Sequence, residues 1–240
     1  MGHDKRILII ADHASNFIPK GYNNLNLPKE LTQSHIAYDL GVKSLSIKIS
    51  KKLKSSLILG EYSRLLIDNN RDIKDPTLIS EISDRKIIKG NVKLSKKEKL
   101  YRINEMYMKY HRQVNNVISK KKIKFIISIH SFNPIYKGNK RDIEIGILSN
   151  RDKRLTHLII NELQRKKITV GDNKPYIGDN KPYIGNLIGD TLFKHALNKN
   201  LLHALIEVRN DLLLNNDMIE KQAQILFRAI NSSISKISFS

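Results

Sequence analysis

The stretch KFIISIH, residues 124–130, decides how the rest of the sequence is interpreted. Its apolar run is short, continuous and rich in isoleucine, which is typical of a strand buried on both faces of a parallel sheet. Two similar runs occupy residues 6–11 and 202–206. Amphipathic segments lie between the runs, and strands that alternate with helices predict an α/β fold whose mostly parallel sheet is covered on both sides.

Further elements complete the prediction of a single domain over residues 1–240. We predict helices over residues 34–53, 95–120, 154–166, 192–198 and 218–237. We predict additional strands over residues 57–59, 63–68, 143–148 and 168–170. Ser95 followed by Glu98 fits the capping box that begins a helix. Residues 72–94 indicate a long loop, and such loops are often functional.

Chemically capable side chains follow three of the predicted strands. His130 ends the central strand, His13 follows the first strand and Glu207 follows the last. Ligands bind at the carboxyl ends of the strands in sheets of this kind. The convergence of these side chains therefore predicts an active site at that edge of the sheet.

The composition limits the chemistry of this site. The chain has no cysteine, which excludes disulfides, a thiolate nucleophile and a Cys-ligated metal. Glycine-rich phosphate loops and a GxSxG motif are absent too, which disfavours nucleotide-dependent and serine-hydrolase chemistry. A water-activating metal held by His, Asp, Glu or Asn is the chemistry that remains. No apolar run approaches the ~20 residues of a membrane helix, so we expect a cytoplasmic protein without membrane contact.

Basic residues dominate the charge of the chain. There are 43 Lys and Arg against 23 Asp and Glu, which gives a formal net charge of +20. This balance favours an anionic partner. The basic residues are spread along the chain, however, and no zinc-finger spacing, RNP aromatics or basic-region heptads occur. The sequence favours a solvated basic surface and a small anionic ligand over a nucleic acid.

Two interpretations stay open for each candidate site residue. His13 and His130 are either metal ligands or hydrogen-bonded histidines at strand ends. Glu207 is either a general base, with a pKa raised by partial burial, or a member of a salt-bridge cluster with Arg209 and Asp211.

Several basic and amide side chains lie in segments that flank the same edge. They are Arg64, Asn70, Arg71 and Arg141. Guanidinium groups match carboxylates in two-point geometry, which favours an acidic substrate, although a single arginine is more often a surface charge. His35 stands at a predicted helix start, where it either points into the crevice or is an ordinary residue of the first turn.

One segment is repeated in tandem. GDNKPYI at residues 171–177 recurs at once at residues 178–184. A period of seven residues is too short for a solenoid. It indicates a duplication inside a surface loop, because loops tolerate added length at low cost.

Six motifs, in chain order, resemble the N-formylglutamate amidohydrolase family. They are DHASN at residues 12–16, His35 with Asp39 and Gly41, the segment 63–71, HSF at residues 130–132 with Pro134 and Arg141, GDNKPY at residues 171–176, and EVRND at residues 207–211. The resemblance extends over nearly the whole chain.

This resemblance implies an α/β/α fold similar to the zinc carboxypeptidases. It implies hydrolysis of a linear amide by a metal-activated water, with N-formyl-L-glutamate giving formate and L-glutamate as the type reaction. It also implies one divalent cation, Zn²⁺, bound by His13 and His130, with the third ligand open among His35, Asn16 and Asp12. His35 enters the predicted ligand set.

The resemblance assigns roles to the remaining candidates. Glu207 resembles the general base. The predicted substrate-binding residues are Arg64, Asn70, Arg71, Arg141 and Asn173. Two alternatives accompany this prediction. One keeps the fold and metal but changes the substrate to another N-acyl amino acid or a short peptide, and the other is a basic protein that holds an anion without turnover.

Two departures from the family pattern bear on these roles. Asp12 stands where many members have Glu, which weakens a role for its carboxylate. The family pattern has one GDNKPY segment, so the copies at Asn173 and Asn180 compete for the native position.

Overall fold

A six-stranded mixed sheet forms the centre of the protein, whose computed structural model describes residues 6–136, 138–149, 152–173 and 189–238. The strands are β1 (Ile7–Ala11), β2 (Ser56–Leu59), β3 (Ile82–Ser83), β4 (Lys86–Ile87), β5 (Phe125–Phe132), β6 (Ile135–Tyr136), β7 (Asn139–Lys140), β8 (Ile145–Leu148), β9 (Val170–Asp172) and β10 (Leu202–Arg209). The sheet has the order β2-β1-β5-β10-β8-β9, while β3–β4 and β6–β7 form two separate hairpins.

Most neighbouring strands of the sheet are parallel. β2, β1, β5 and β10 share one direction, and β8 joins β10 antiparallel. β9 is parallel to β8, so this pair runs opposite to the other four strands. The mostly parallel sheet is confirmed, and the reversed pair closes one side of it.

Helices cover both faces of the sheet. They are α1 (Lys29–Thr32), α2 (Val42–Leu53), α3 (Lys96–Arg102), α4 (Met108–Lys121), α5 (Thr156–Gln164), α6 (Thr191–His195) and α7 (Asn216–Ser235). One buried cluster joins the sheet to α2, α5 and α7, and a second joins it to α4 and α6. Along β1, Ile7 and Ile9 belong to the first cluster while Leu8 and Ile10 belong to the second, as alternation along a strand requires. The α/β/α fold is confirmed.

Helix α2 begins at Val42 and not near residue 34. Gly41 has a φ of 77°, in the left-handed region that favours glycine, and a Cβ there would lie 2.5 Å from the Cβ of Leu213. The N–H of Asp39, in the turns before it, donates to the carbonyl of His13 at 2.9 Å. The predicted helix start is wrong because apolar spacing does not register these tertiary contacts.

Residues 63–68 form turns, and the strand predicted there is wrong. The N–H of Arg64 donates to the carbonyl of Ala37 at 3.1 Å, so the segment bends toward the turns before α2. Its apolar residues 65–67 pack in a third buried cluster, away from the sheet.

The long helix predicted over residues 95–120 is confirmed in a modified form. Ser95 caps it, because its Oγ accepts the N–H of Glu98 at 3.1 Å. Between α3 and α4 the residues Ile103–Tyr107 form a π turn. Such turns occur often beside functional sites, since the extra residue redirects a side chain.

The described ranges cover only part of the tandem repeat. Of the tandem repeat, residues 174–184 lie outside the described residues, so the predicted competition between the two copies stays a prediction.

None of the described helices combines the length and the apolar content that crossing a bilayer requires.

Candidate active site

A cleft of about 1050 Å³ opens where β1, β5 and β10 end. Its lining contains eight of the nine predicted site residues: His13, His35, Arg64, Asn70, Arg71, His130, Arg141 and Glu207. The parallel strands thus bring together side chains that are far apart in the sequence.

His13 lies directly after β1 and is buried. Its Nε2 lies 2.7 Å from Oδ1 of Asp68. A carboxylate only accepts, so this nitrogen carries a proton and donates it. The other nitrogen, Nδ1, is buried without a hydrogen-bond partner among the described residues and faces Oδ2 of Asp39 at 3.6 Å.

His130 lies near the end of β5 and has the same arrangement. Its Nδ1 is 2.9 Å from Oδ2 of Asp39, and its Nε2 is 3.3 Å from Oδ2 of Asp12 and 3.0 Å from Oγ of Ser128. The two imidazole rings meet edge to face with their centroids 5.0 Å apart. Each ring therefore turns one nitrogen to Asp39 and the other to a second carboxylate.

Asp12 is a buried carboxylate behind His130. Its Oδ1 accepts hydrogen bonds from the Tyr110 hydroxyl at 2.9 Å and from Oγ1 of Thr191 at 2.7 Å. Although burial opposes ionisation, the hydrogen bond and charge of His130 lower the pKa of Asp12 below its usual range. Asp12 thus holds His130 from behind.

Asp39 completes the centre of the cleft. Its carboxylate and the two imidazoles of His13 and His130 form a buried group whose ligand atoms all lie within 4.8 Å of one another. Burial opposes ionisation, but the charges and hydrogen bonds of both histidines lower the pKa of Asp39. The sequence interpretation missed it as a site residue because it placed Asp39 inside a helix. The signal that could have found it is its place in the His35-Asp39-Gly41 motif.

The three side chains left open from the sequence as third ligand, His35, Asn16 and Asp12, are not members of this group. His35 is 41% exposed, and its Nε2 lies 3.6 Å from Oδ2 of Asp84. The side-chain amide of Asn16 donates to the carbonyl of Thr32 at 3.0 Å. The structure therefore does not bring His35 or Asn16 to the two imidazoles.

Glu207 faces the same cleft from β10. It pairs in register with His130 of β5, so the two side chains lie on one face of neighbouring strands. Burial raises the pKa of Glu207, although the charge of His130 opposes the shift. Among the described residues it joins no ion pair, whereas Arg209 pairs with Asp211 at 2.8 Å. The predicted salt-bridge cluster therefore forms without Glu207.

The arginines of the cleft differ in what they already contact. The guanidinium of Arg64 donates to Oδ2 of Asp68 at 2.9 Å and faces Asp39 at 3.6 Å. Arg71 donates through Nη1 to the carbonyl of Asn70 and through Nε to Thr77. Arg64 thus balances the carboxylates around His13, whereas the Arg71 side chain contacts Asn70 and Thr77.

Arg141 and Asn173 occupy different surroundings. The Arg141 guanidinium lies over the rings of Phe132 and Tyr136, at 5.3 and 4.7 Å from their centroids. Asn173 follows β9, accepts the N–H of Ser149 at 2.9 Å through Oδ1, and is not among the residues that line the cleft. The structure brings Arg141 to the site and leaves Asn173 beside the reversed strand pair.

Comparison with known proteins supplies the family. The sequence model of the N-formylglutamate amidohydrolase family matches residues 5–214. The chain belongs to this family. The N-formylglutamate amidohydrolase family comprises hydrolases by its name, and membership supports an amidohydrolase.

Solved structures share the architecture of this family member. The gene product Atu2144 from Agrobacterium tumefaciens is 31% identical, with a TM-score of 0.88, over 97% of this chain and 92% of that one. N-formylglutamate amidohydrolase from Ralstonia eutropha JMP134 is 18% identical, with a TM-score of 0.73, over 98% of this chain and 94% of that one, which shows a common fold. No curated protein matches the chain.

Proposed function

We propose that the protein is a metal-dependent hydrolase that cleaves the linear amide of an N-acylated acidic amino acid. The reaction we put first is hydrolysis of N-formyl-L-glutamate to formate and L-glutamate, because the family takes its name from it. The observation that carries the proposal is the convergence of His13, His130 and Asp39 in a cleft that Glu207 also lines.

The chemistry of this group fits a catalytic zinc ion. Two imidazole nitrogens and one carboxylate oxygen are a common ligand set of such sites. Histidines that bind zinc usually donate their other N–H to a carboxylate. Here Asp68 accepts from His13, and Asp12 lies on the corresponding side of His130, facing its Nε2. The buried Nδ1 of His13, without a hydrogen-bond partner among the described residues, is suited to a cation. In this proposal Asp39 takes the place that the sequence prediction gave to His35.

Glu207 moves the proton in the proposed reaction. When bound, the cation would act as a Lewis acid, which lowers the pKa of water and polarises a carbonyl oxygen. Glu207 accepts the proton of the attacking water and passes it to the amine nitrogen as the C–N bond breaks. The acyl group leaves as its acid, and the amino acid leaves as the amine. Burial, which raises the pKa of Glu207, favours both transfers at neutral pH.

Asn70, Arg71 and Arg141 hold the acid of the substrate in this proposal. All three line the cleft, and arginine binds carboxylates in a two-point geometry. We do not place Arg64 among the residues that hold the acid, because its guanidinium already pairs with Asp68. Fixing the acid sets the amide carbonyl beside Glu207, a positioning effect that contributes several kcal/mol to the lowering of a barrier.

The size of the cleft favours a second candidate within the same chemistry. About 1050 Å³ is at the upper end of cavities that hold drug-sized ligands. A longer N-acyl amino acid or a short peptide would fill more of this space than a formyl amino acid. Measuring kcat/KM for N-formyl-, N-acetyl- and N-butyryl-L-glutamate ranks these substrates directly.

Elemental analysis combined with one variant tests the proposed function. We expect near-stoichiometric zinc in the purified protein and release of formate from N-formyl-L-glutamate. Glu207→Gln removes the proton acceptor and keeps the shape, so kcat falls by about 10²- to 10⁴-fold while the zinc content stays unchanged. The matched control is Glu61→Gln, which alters an exposed glutamate paired with Lys109.

Two outcomes contradict the proposal. Binding of N-formyl-L-glutamate by the zinc-loaded protein without turnover of any acyl amino acid makes it an anion-binding protein. Full activity of Glu207→Gln removes the proton-transfer role from Glu207.

A further inference from the structure

The segment Asn70–Asp72 is held from behind by residues that do not take part in the proposed chemistry. Asn70 and Arg71 line the cleft, whereas Tyr107, Thr191 and Lys194 are not among its lining residues. These three contact the opposite side of the segment. Tyr107 ends the π turn before α4, and the other two belong to α6.

Thr191 fixes the orientation of the Asn70 amide. The backbone N–H of Thr191 lies 3.1 Å from Oδ1 of Asn70. A backbone N–H can only donate, so the atom that faces it is the oxygen of the amide. The amide nitrogen of Asn70, with its two donors, is therefore the group that remains for a ligand in the cleft.

The carbonyl of Arg71 is held by two donors. The Tyr107 hydroxyl and Nζ of Lys194 each lie 2.8 Å from this oxygen. Lys194 also donates to the Tyr107 hydroxyl at 2.6 Å and to the carbonyl of Gly189. An ammonium group has three protons, and these three acceptors account for all of them. Burial lowers the pKa of Lys194, so the side chain holds these acceptors at a cost in solvation.

Gly189 brings α6 into contact with the same segment. It has a φ of 90°, and a Cβ at this position would lie 2.2 Å from Oδ2 of Asp72. Only a glycine allows so close an approach in this backbone conformation. Three successive residues, Asn70 to Asp72, are therefore each contacted from the side of α6.

We infer that Tyr107, Thr191 and Lys194 are positioning residues that set the affinity of the site for the acid of its substrate. Together they form a support behind Asn70 and Arg71 and do not line the cleft. Thr191 also donates to Asp12 through Oγ1, so the variants that test the support change Lys194 and Tyr107. Releasing the carbonyl of Arg71 lets its peptide rotate, which moves the guanidinium and the neighbouring amide away from the acid. The inference rests on the proposed function, because it assigns Asn70 and Arg71 to the substrate's acid.

The test measures binding and turnover separately. Lys194→Met removes the three donors and keeps a side chain of similar length. We expect KM for N-formyl-L-glutamate to rise about tenfold, since a small misplacement of binding groups has effects of this size. kcat should stay within threefold and the zinc content unchanged, because His13, His130, Asp39 and Glu207 do not contact Lys194.

Two matched variants accompany this one. Tyr107→Phe removes one donor to the Arg71 carbonyl and should raise KM about threefold, in a protein with nearly unchanged packing. Lys199→Met removes a neighbouring lysine whose Nζ contacts Asn115 at 2.6 Å, and it should leave KM and kcat unchanged.

Calorimetric titration with L-glutamate separates failure of this inference from failure of the proposed function. Weaker binding by Lys194→Met supports the inference even if N-formyl-L-glutamate is not hydrolysed. Wild-type values of both KM and the glutamate Kd in Lys194→Met and Tyr107→Phe overturn it. A fall in kcat with unchanged KM also overturns it, because that result would connect α6 with the chemical step. A wild-type protein that neither hydrolyses N-formyl-L-glutamate nor binds L-glutamate overturns both.

Discussion

Two buried pairs of histidines have similar spacing and opposite surroundings. In the cleft the ring centroids of His13 and His130 are 5.0 Å apart, and between α4 and α6 those of His111 and His195 are also 5.0 Å apart. All four side chains are nearly inaccessible to solvent. The pairs differ in the charges next to them.

The first pair is in direct contact with carboxylates, whereas among the described residues the second pair has no carboxylate within ion-pair distance and feels the charge of Asp12 only from farther away. Asp39 faces both His13 and His130, whereas His195 contacts the uncharged Asn115 at 3.1 Å. Against the effect of burial, the neighbouring carboxylates raise the pKa of His130 well above its ordinary value.

The second pair shifts in the opposite direction. Burial, together with the charge of His195, lowers the pKa of His111 to about 3. Burial and the charge of Lys199 lower that of His195 to about 4. The comparison indicates that burial alone lowers the pKa of an imidazole, and that carboxylates in contact with the ring reverse the shift.

Removing the shared carboxylate of the first pair should have the largest effect. Asp39→Asn keeps the shape but loses the charge that both histidines face. We expect loss of most of the zinc and a fall in kcat/KM of more than about 1000-fold. His195→Gln in the second pair is the control, and its zinc content and kcat/KM should stay within twofold of the wild-type values. Retained zinc in Asp39→Asn would mean that Asp39 is not a ligand.

Changing the carboxylate behind His13 should have an intermediate effect. Asp68→Asn weakens the acceptor of the Nε2–H group of His13 and leaves the three proposed ligands in place. The zinc affinity, measured by competition with a chelator, should fall about 10- to 100-fold. Unchanged affinity would limit Asp68 to its other contacts, which are the Arg64 guanidinium and the backbone N–H of Asn70, a donor to Oδ1 at 2.9 Å.

The second pair predicts a loss of stability in acid. An unfolded histidine has a pKa of about 6.5, while the folded pKa values of His111 and His195 are about 3 and 4. Between these limits the unfolded chain binds more protons, so the free energy of unfolding decreases as the pH falls from about 6.5 to 4. Each group contributes at most about 1.4 kcal/mol per pH unit. Urea unfolding at several pH values should show a shallower slope for His195→Gln, and equal slopes would contradict the shifted pKa of His195.

Giving the second pair a carboxylate should have the smallest effect. Asn115→Asp places a negative charge next to Nδ1 of His195, which makes its surroundings resemble those of His13. The pKa of His195 should rise, so the acid-induced loss of stability shrinks by about 1 kcal/mol. Lys199, which contacts the same side-chain oxygen, limits the gain. NMR titration of the His195 ring gives the direction of the shift.

The sequence was sufficient for the mostly parallel part of the sheet and for placing two of the three proposed metal ligands, His13 and His130, at one edge of it. Buried runs of isoleucine and leucine identify strands from composition alone, and the parallel arrangement then brings His13, His130 and Glu207 to one edge. An apolar run does not indicate which way its strand is oriented in the sheet, so the reversed direction of β8 and β9 was not predictable. Asp39 was missed because the break at Gly41 depends on its contact with Leu213, which is remote in sequence.

The distinction between the two histidine pairs was also beyond the sequence. His111 and His195 have no informative spacing, and no local pattern shows that they meet. Their shifted pKa values arise from charges on other elements. Predicting such pKa shifts requires the three-dimensional arrangement. The types of residue at the strand ends, by contrast, can be identified from the sequence.

The in-register pairing of His130 with Glu207 has a consequence for how this protein can change over evolution. Both residues belong to neighbouring hydrogen-bonded strands, so their separation is set by the interstrand ladder and is independent of the surrounding connections. Loops around the cleft can therefore gain or lose residues while the spacing between the proposed ligand and the proposed proton acceptor is inherited unchanged. Residues at the rim of the cleft can therefore change the substrate preference while the reaction stays the same.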